Sequence, residues 1–315
     1  MELQDLLKEN SQKDPTWQAA RNIVQRIMTG SNSYYNLIRA GWSGSLELAE
    51  MVRMISFSGI NPSCLIEAAE LPKPNNTNTV AKRDLESAII TLGVRFSTLV
   101  LAVNATVASI LSFKPPTGWR KLLESMISDI HIGYFFGLRS NELGMEGGAL
   151  IGFAKTAGLG ILMADNPQSY RNYVNIKRQN LDISQAQQIE LFGCEPYQIS
   201  AILLQSLGFG TEAAVGAICG LSDLHIDKIT LDYSTTKWRA AFLWIEALKA
   251  GRDYPAEVKM RNAFPALRPS PDRKIKNPAL EMLYVEVAKI RQSGSPWLWH
   301  LPKADYNATR EAYGL

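Results

Sequence analysis

Lys155 and Thr156 stand inside GGALIGFAKTAGLGIL, residues 147–162, a stretch with five glycines and apolar flanks. Those are the ingredients of a phosphate loop, where backbone N–H groups and a lysine converge on phosphate oxygens. The spacing does not fit. A Walker loop needs glycine, four residues, then Gly-Lys-Ser/Thr. Gly147 and Gly152 are correctly separated, but Phe153 and Ala154 intervene before Lys155. A dinucleotide fingerprint fails as well, because Gly158-Leu-Gly160 lacks the third glycine and follows no strand pattern. A buried helix whose small residues permit close packing is the better reading.

The other chemistry-bearing residues are sparse. His131, His225 and His300 are the only histidines, so a multi-histidine metal site would need almost all of them. Asp223-Leu-His225-Ile-Asp227 is the one cluster of ligand types, and a polar inter-helix loop explains it better. His131 lies in an apolar helical segment and reads as a packing histidine, and His300 sits among tail aromatics. No serine occupies a nucleophile elbow. Cys194, between Gly193 and Glu195, has no histidine near it in sequence. With Cys64 and Cys219 it reads as a reduced, buried thiol.

The elements that must position these residues are helices. Asp14-Pro15 pairs an N-cap with a first-turn proline. Asp84 opens LESAIITLG, which ends on a glycine, and Ser184 with Gln187 makes a capping box. Thr211 starts EAAVGAICG, Ser234 or Thr235 starts KWRAAFLWIEALKAG, and Asn277-Pro278 starts the last helix. Leu280, Leu283, Val287 and Ile290 recur at helical spacing, and no run of alternating strands appears. The expected class is all-α. A first helical group extends to about residue 113, with a break at Lys114-Pro-Pro-Thr-Gly118. A second runs from about 119 to 251. Residues 252–315 add a proline-rich basic stretch, one helix and an aromatic tail with Trp297, Trp299 and Tyr306.

Composition narrows the function classes. The chain has 315 residues, 46% hydrophobic and 20% charged, with a net charge of +3. That length buries a core without staples. Basic residues are scattered apart from Arg268–Lys276, so no nucleic-acid-binding stripe is expected. The N-terminus has no signal-peptide core. The charge-free run Phe96–Phe113 includes Asn104 and several hydroxyl residues, which favours a buried helix over a membrane span. The expectation is a cytoplasmic protein with no membrane or nucleic-acid partner.

Several segments, in order, resemble the HDOD family, the HD-related output domains of bacterial signalling proteins. They are LESAIITLGVR (Leu85–Arg95), GGALIGFAKTAGLGIL, FGCEPYQISAILLQSLGFGTEAAVGAI (Phe192–Ile218) and WRAAFLWIEALKAG (Trp238–Gly251). The resemblance covers residues 17–251 and implies a multi-helix HD-like domain in two helical lobes, with a C-terminal helical extension. The parent HD superfamily comprises metal-dependent phosphohydrolases, in which histidines and aspartates hold a metal that activates water.

Laid over this chain, the superfamily's early-helix histidine falls on Ser125, and its His-Asp dipeptide on Lys155-Thr156. The turn histidine falls on Pro196, the later histidine pair near Gly220, and the closing aspartate near Glu246. Hydroxyls are weak ligands, proline and glycine offer none, and a lysine repels a divalent cation. The resemblance therefore implies a chain without catalytic or metal-binding residues and without cofactor, acting on protein partners in bacterial signalling. Two alternatives stay open. One is a divergent phosphohydrolase using Asp223, His225, Asp227 and Glu246. The other is a sensor of a small anion at Lys155 and Thr156, although Lys155 facing solvent or pairing with a carboxylate such as Glu246 is the plainer expectation.

Overall fold

The computed structural model describes residues 14–30, 32–58, 60–70, 84–116, 118–179, 182–221, 233–270 and 276–297. All regular elements among them are helical, as the capping signals anticipate. Six come first: α1 (Pro15–Ile27), α2 (Asn32–Ser43), α3 (Leu48–Ser58), α4 (Ser63–Ala69), α5 (Leu85–Leu92) and α6 (Val94–Ser112). Then follow α7 (Trp119–Ser140), α8 (Gly144–Asp165), α9 (Pro167–Arg178), α10 (Gln185–Phe192), α11 (Pro196–Leu207), α12 (Gly210–Leu221) and α13 (Tyr233–Lys249). The chain closes with α14 (Val258–Arg261), a 3-10 turn at Pro265–Leu267, and α15 (Pro278–Ser293).

The caps are where the sequence puts them. Asp14 and Asp84 each accept a first-turn backbone N–H, the Ser184–Gln187 box closes, and Asn277 caps α15. Helices α12 and α13 begin one residue before Thr211 and Ser234, a difference of the size that helix ends normally show.

α8 is the central element. It packs against α7 along its length and also touches α1, α6, α9, α11, α12 and α13. Both α6 and α8 are long and apolar enough to cross a membrane, but their apolar windows are 61% and 83% buried inside the fold. Polar residues are rare on so enclosed a helix, so each one needs a partner. The first and second helical groups share one continuous core, and α1 packs on α8 and α11 of the second group.

The glycines of residues 147–162 act in helix packing. A Cβ at Gly148 would strike the Gly133 carbonyl oxygen, and one at Gly152 would strike the Asp129 carbonyl oxygen. Gly133 and Gly137 of α7 meet α8 equally closely, at Gly148 and Gly144. The two backbones touch because neither carries a side chain there. This contact sets the distance between Asp129 of α7 and Thr156, one turn beyond Gly152 on α8.

Candidate functional site

Ser125 and Asp129 lie one turn apart on the same face of α7. Asp129 is fully buried, and its Oδ2 accepts the Thr156 hydroxyl proton at 2.6 Å. The same Oδ2 lies 2.8 Å from Nζ of Lys249, the last residue of α13. Nζ also donates to Ser125 Oγ at 2.7 Å and approaches the Ser125 carbonyl oxygen at 3.4 Å. Three helices thus converge on one buried carboxylate. As the last residue of α13, Lys249 also stands at the helix end whose dipole favours a positive charge.

The pair is asymmetric in exposure. The Asp129 side chain is 0% exposed and that of Lys249 31%, so the ammonium plugs the cluster from its open side. Burial lowers the Lys249 pKa, the Asp129 carboxylate pulls it back up, and the charge of nearby Lys155 lowers it further. Asp129 Oδ1 accepts no hydrogen bond among the described residues. Lys155 is half-buried and makes no ion pair among them.

The residues singled out by sequence separate into two sets. Ser125 and Thr156 meet through Asp129 and Lys249, with Lys155 beside them. Pro196, Gly220 and Glu246 are elsewhere engaged. Pro196 starts α11, and its carbonyl presses on Gly158 of α8. Gly220 gives its missing side-chain space to the Phe242 ring. Glu246 is 58% exposed and its nearest cation is Arg252, at 3.9 Å, so the pairing with Lys155 is not formed. Asp223, His225, Asp227 and His300, with Trp299 and Tyr306, lie outside the described residues.

Asp129 and Lys249 were not singled out in sequence. The signal was nevertheless there, since Asp129 falls four residues after Ser125 in an apolar helix. Lys249 is one turn beyond Glu246, at the end of the helix where the closing ligand was sought.

This donor set does not fit a divalent metal. It offers one carboxylate, two hydroxyls and two lysines, and the carboxylate oxygen nearest the centre already binds an ammonium and a hydroxyl. Among the described residues, no group of three or more His, Cys, Asp or Glu gathers into a metal-sized cluster. Nor is Thr156 free to donate to an anion, because its only proton goes to Asp129.

His131, on another face of α7, has a packing role. Its Nδ1 lies 3.0 Å from Ser295 Oγ, and its ring stacks on Trp297 at 4.2 Å between centroids. Trp297 also meets Phe96 of α6 and Tyr134 of α7, at 5.6 and 5.0 Å. The start of the aromatic tail therefore folds back and bridges the two helical groups. Burial holds the His131 imidazole neutral, pushing its pKa down to about 3. Cys64, Cys194 and Cys219 are free and buried, and burial raises the Cys194 thiol to about 12.

No family model matches the chain, and no curated protein matches it in sequence. Among solved structures it is similar to a Geobacter sulfurreducens HDOD domain protein, described as of unknown function. The TM-score is 0.62 at 10% identity, over 90% of this chain and 99% of that one. At that identity the likeness speaks for the architecture, and it spans nearly all of both chains. The chain therefore has the fold of an HDOD domain.

Proposed function

We propose that this chain is an HDOD-family regulatory module without enzymatic activity, acting through protein–protein contacts in bacterial signal transduction in the cytoplasm. One observation carries the reading: a lysine ammonium of the chain itself occupies the carboxylate beside Ser125 and Thr156. Those two residues stand where the resemblance places ligands of the hydrolase metal. A metal hydrolase needs an open coordination position for water. Here the one carboxylate at the centre is already taken by an ammonium, which leaves it no open place for a metal and its water.

The divergent-hydrolase alternative draws no support from Glu246, which is mostly exposed and next to Arg252. The anion-sensor alternative keeps Lys155 but loses Thr156 as a donor. The test is metal analysis of the purified chain, together with turnover of phosphomonoesters and cyclic dinucleotides in added Mg2+ or Mn2+. The expected result is neither stoichiometric metal nor turnover. Stoichiometric metal with chelator-sensitive turnover overturns the proposal.

A further inference from the structure

We propose that Asp129, Ser125 and Thr156 form a seat for a primary ammonium, and that Lys249 is its tethered occupant, a covalent substitute for a bound cation. The inference rests on the reading that the metal site is lost. It goes further by naming the chemistry that the remaining residues recognise.

The seat is built from donors and acceptors of the right kind. A primary ammonium carries three N–H donors on a compact charge. Here Asp129 Oδ2 and Ser125 Oγ take two of them, at 2.8 and 2.7 Å, with the Ser125 carbonyl oxygen at 3.4 Å near the same nitrogen. The carboxylate is fixed from behind, since the Thr156 hydroxyl donates to it and Gly152 lets α8 approach the backbone of Asp129 itself. Nothing in this frame depends on the lysine's own backbone. Lys249 belongs to α13, and its side chain reaches the seat from outside, remaining 31% exposed along the way. The titratable neighbours agree: among the described residues the carboxylate is the only anion paired with this ammonium, and Lys155 is the cation that opposes it.

A seat of this kind outlasts its tether. Lys249→Ala removes three methylenes and the ammonium, a fragment equal to n-propylammonium. It leaves a buried, unpaired carboxylate reachable from solvent. Removing one partner of such a pair is costly, and Tm should fall by roughly 6–10 °C. Millimolar n-propylammonium chloride should then restore part of that loss in Lys249→Ala. It should do nothing for the unsubstituted chain, whose seat is full.

Propanol and tetramethylammonium chloride at matched concentration should restore nothing, because one lacks the charge and the other lacks N–H donors. The Asp129→Asn/Lys249→Met chain, with neither charge, should fold and show no response to the amine. Should Lys249→Ala not fold, Lys249→Ser expressed with and without n-propylammonium gives the same comparison as soluble yield. A Tm or yield that the amine fails to raise above the tetramethylammonium control overturns the proposal. So does an equal response from the double variant. Neither result bears on hydrolase activity, whereas stoichiometric metal in the unsubstituted chain would overturn the functional reading and leave the amine response interpretable.

Discussion

His131 gives a direct link between this structure and pH. The residue is 6% exposed, its imidazole stacked on Trp297 and 4.8 Å from the Phe135 ring, with Ser295 Oγ as its one polar contact among the described residues. Ser295 Oγ also accepts the Trp297 backbone N–H at 3.1 Å, so the serine's own proton is free for Nδ1 of a neutral ring. The folded pKa of about 3 lies below the ordinary value of 6.5 because the charged ring is desolvated. Between these two values the unfolded chain binds the proton and the folded chain does not, so stability falls as pH drops from 6.5 toward 3. At pH 4.5 the ring has lost two of those units, worth roughly 2.5 kcal/mol. His131→Phe keeps the stack and removes the titration. The assay is urea unfolding of both chains at pH 7.5 and 4.5. At pH 7.5 the variant should lose about 1 kcal/mol for the missing hydrogen bond. On moving to pH 4.5 it should lose roughly 2.5 kcal/mol less than the parent chain. Equal pH losses in the two chains, within about 0.5 kcal/mol, would refute the burial argument.

Two further substitutions probe the parts around the site. Gly152→Ala places a methyl against the Asp129 carbonyl oxygen, with Ile130 Cα only 2.8 Å away. It should cost at least about 3 kcal/mol by chemical denaturation, since backbone and not a flexible side chain must yield. Trp297→Ala empties the nest between α6 and α7, where the indole is 8% exposed. The expected loss is about 3 kcal/mol in thermal melts, and the His131-dependent part of the acid sensitivity should shrink with it, because the imidazole becomes hydrated.

Local signals carried most of the fold. Asp84, Ser184 and Asn277 cap their helices through side-chain bonds formed within three residues, and such bonds do not depend on the rest of the molecule. The glycines of residues 147–162 were legible as packing positions for the same reason: no phosphate-loop spacing fits them. The site was harder to read. Ser125 and Thr156 were found by position in a resemblance, but what joins them is the Asp129–Lys249 pair, separated by more than a hundred residues. A contact between side chains of two helices so far apart in sequence leaves no local spacing pattern in either segment. Glu246 shows the consequence, since it holds the aligned position and faces solvent, while Lys249, one turn on, makes the contact.

The pair also makes the cluster hard to undo. A buried ion pair adds little net stability compared with an apolar pair of the same volume, yet losing either partner alone strands a charge. Asp129 is fully buried, and without Lys249 its remaining donor among the described residues is a single hydroxyl. Loss of Asp129 would leave the ammonium half-buried beside Lys155 with no carboxylate to hold it. Each residue therefore constrains the other, and replacing either one alone is the destabilising step. The pair ties α13 to α7, and the Thr156 bond ties α7 to α8. The three helices around Asp129 are thereby held together by internal charge.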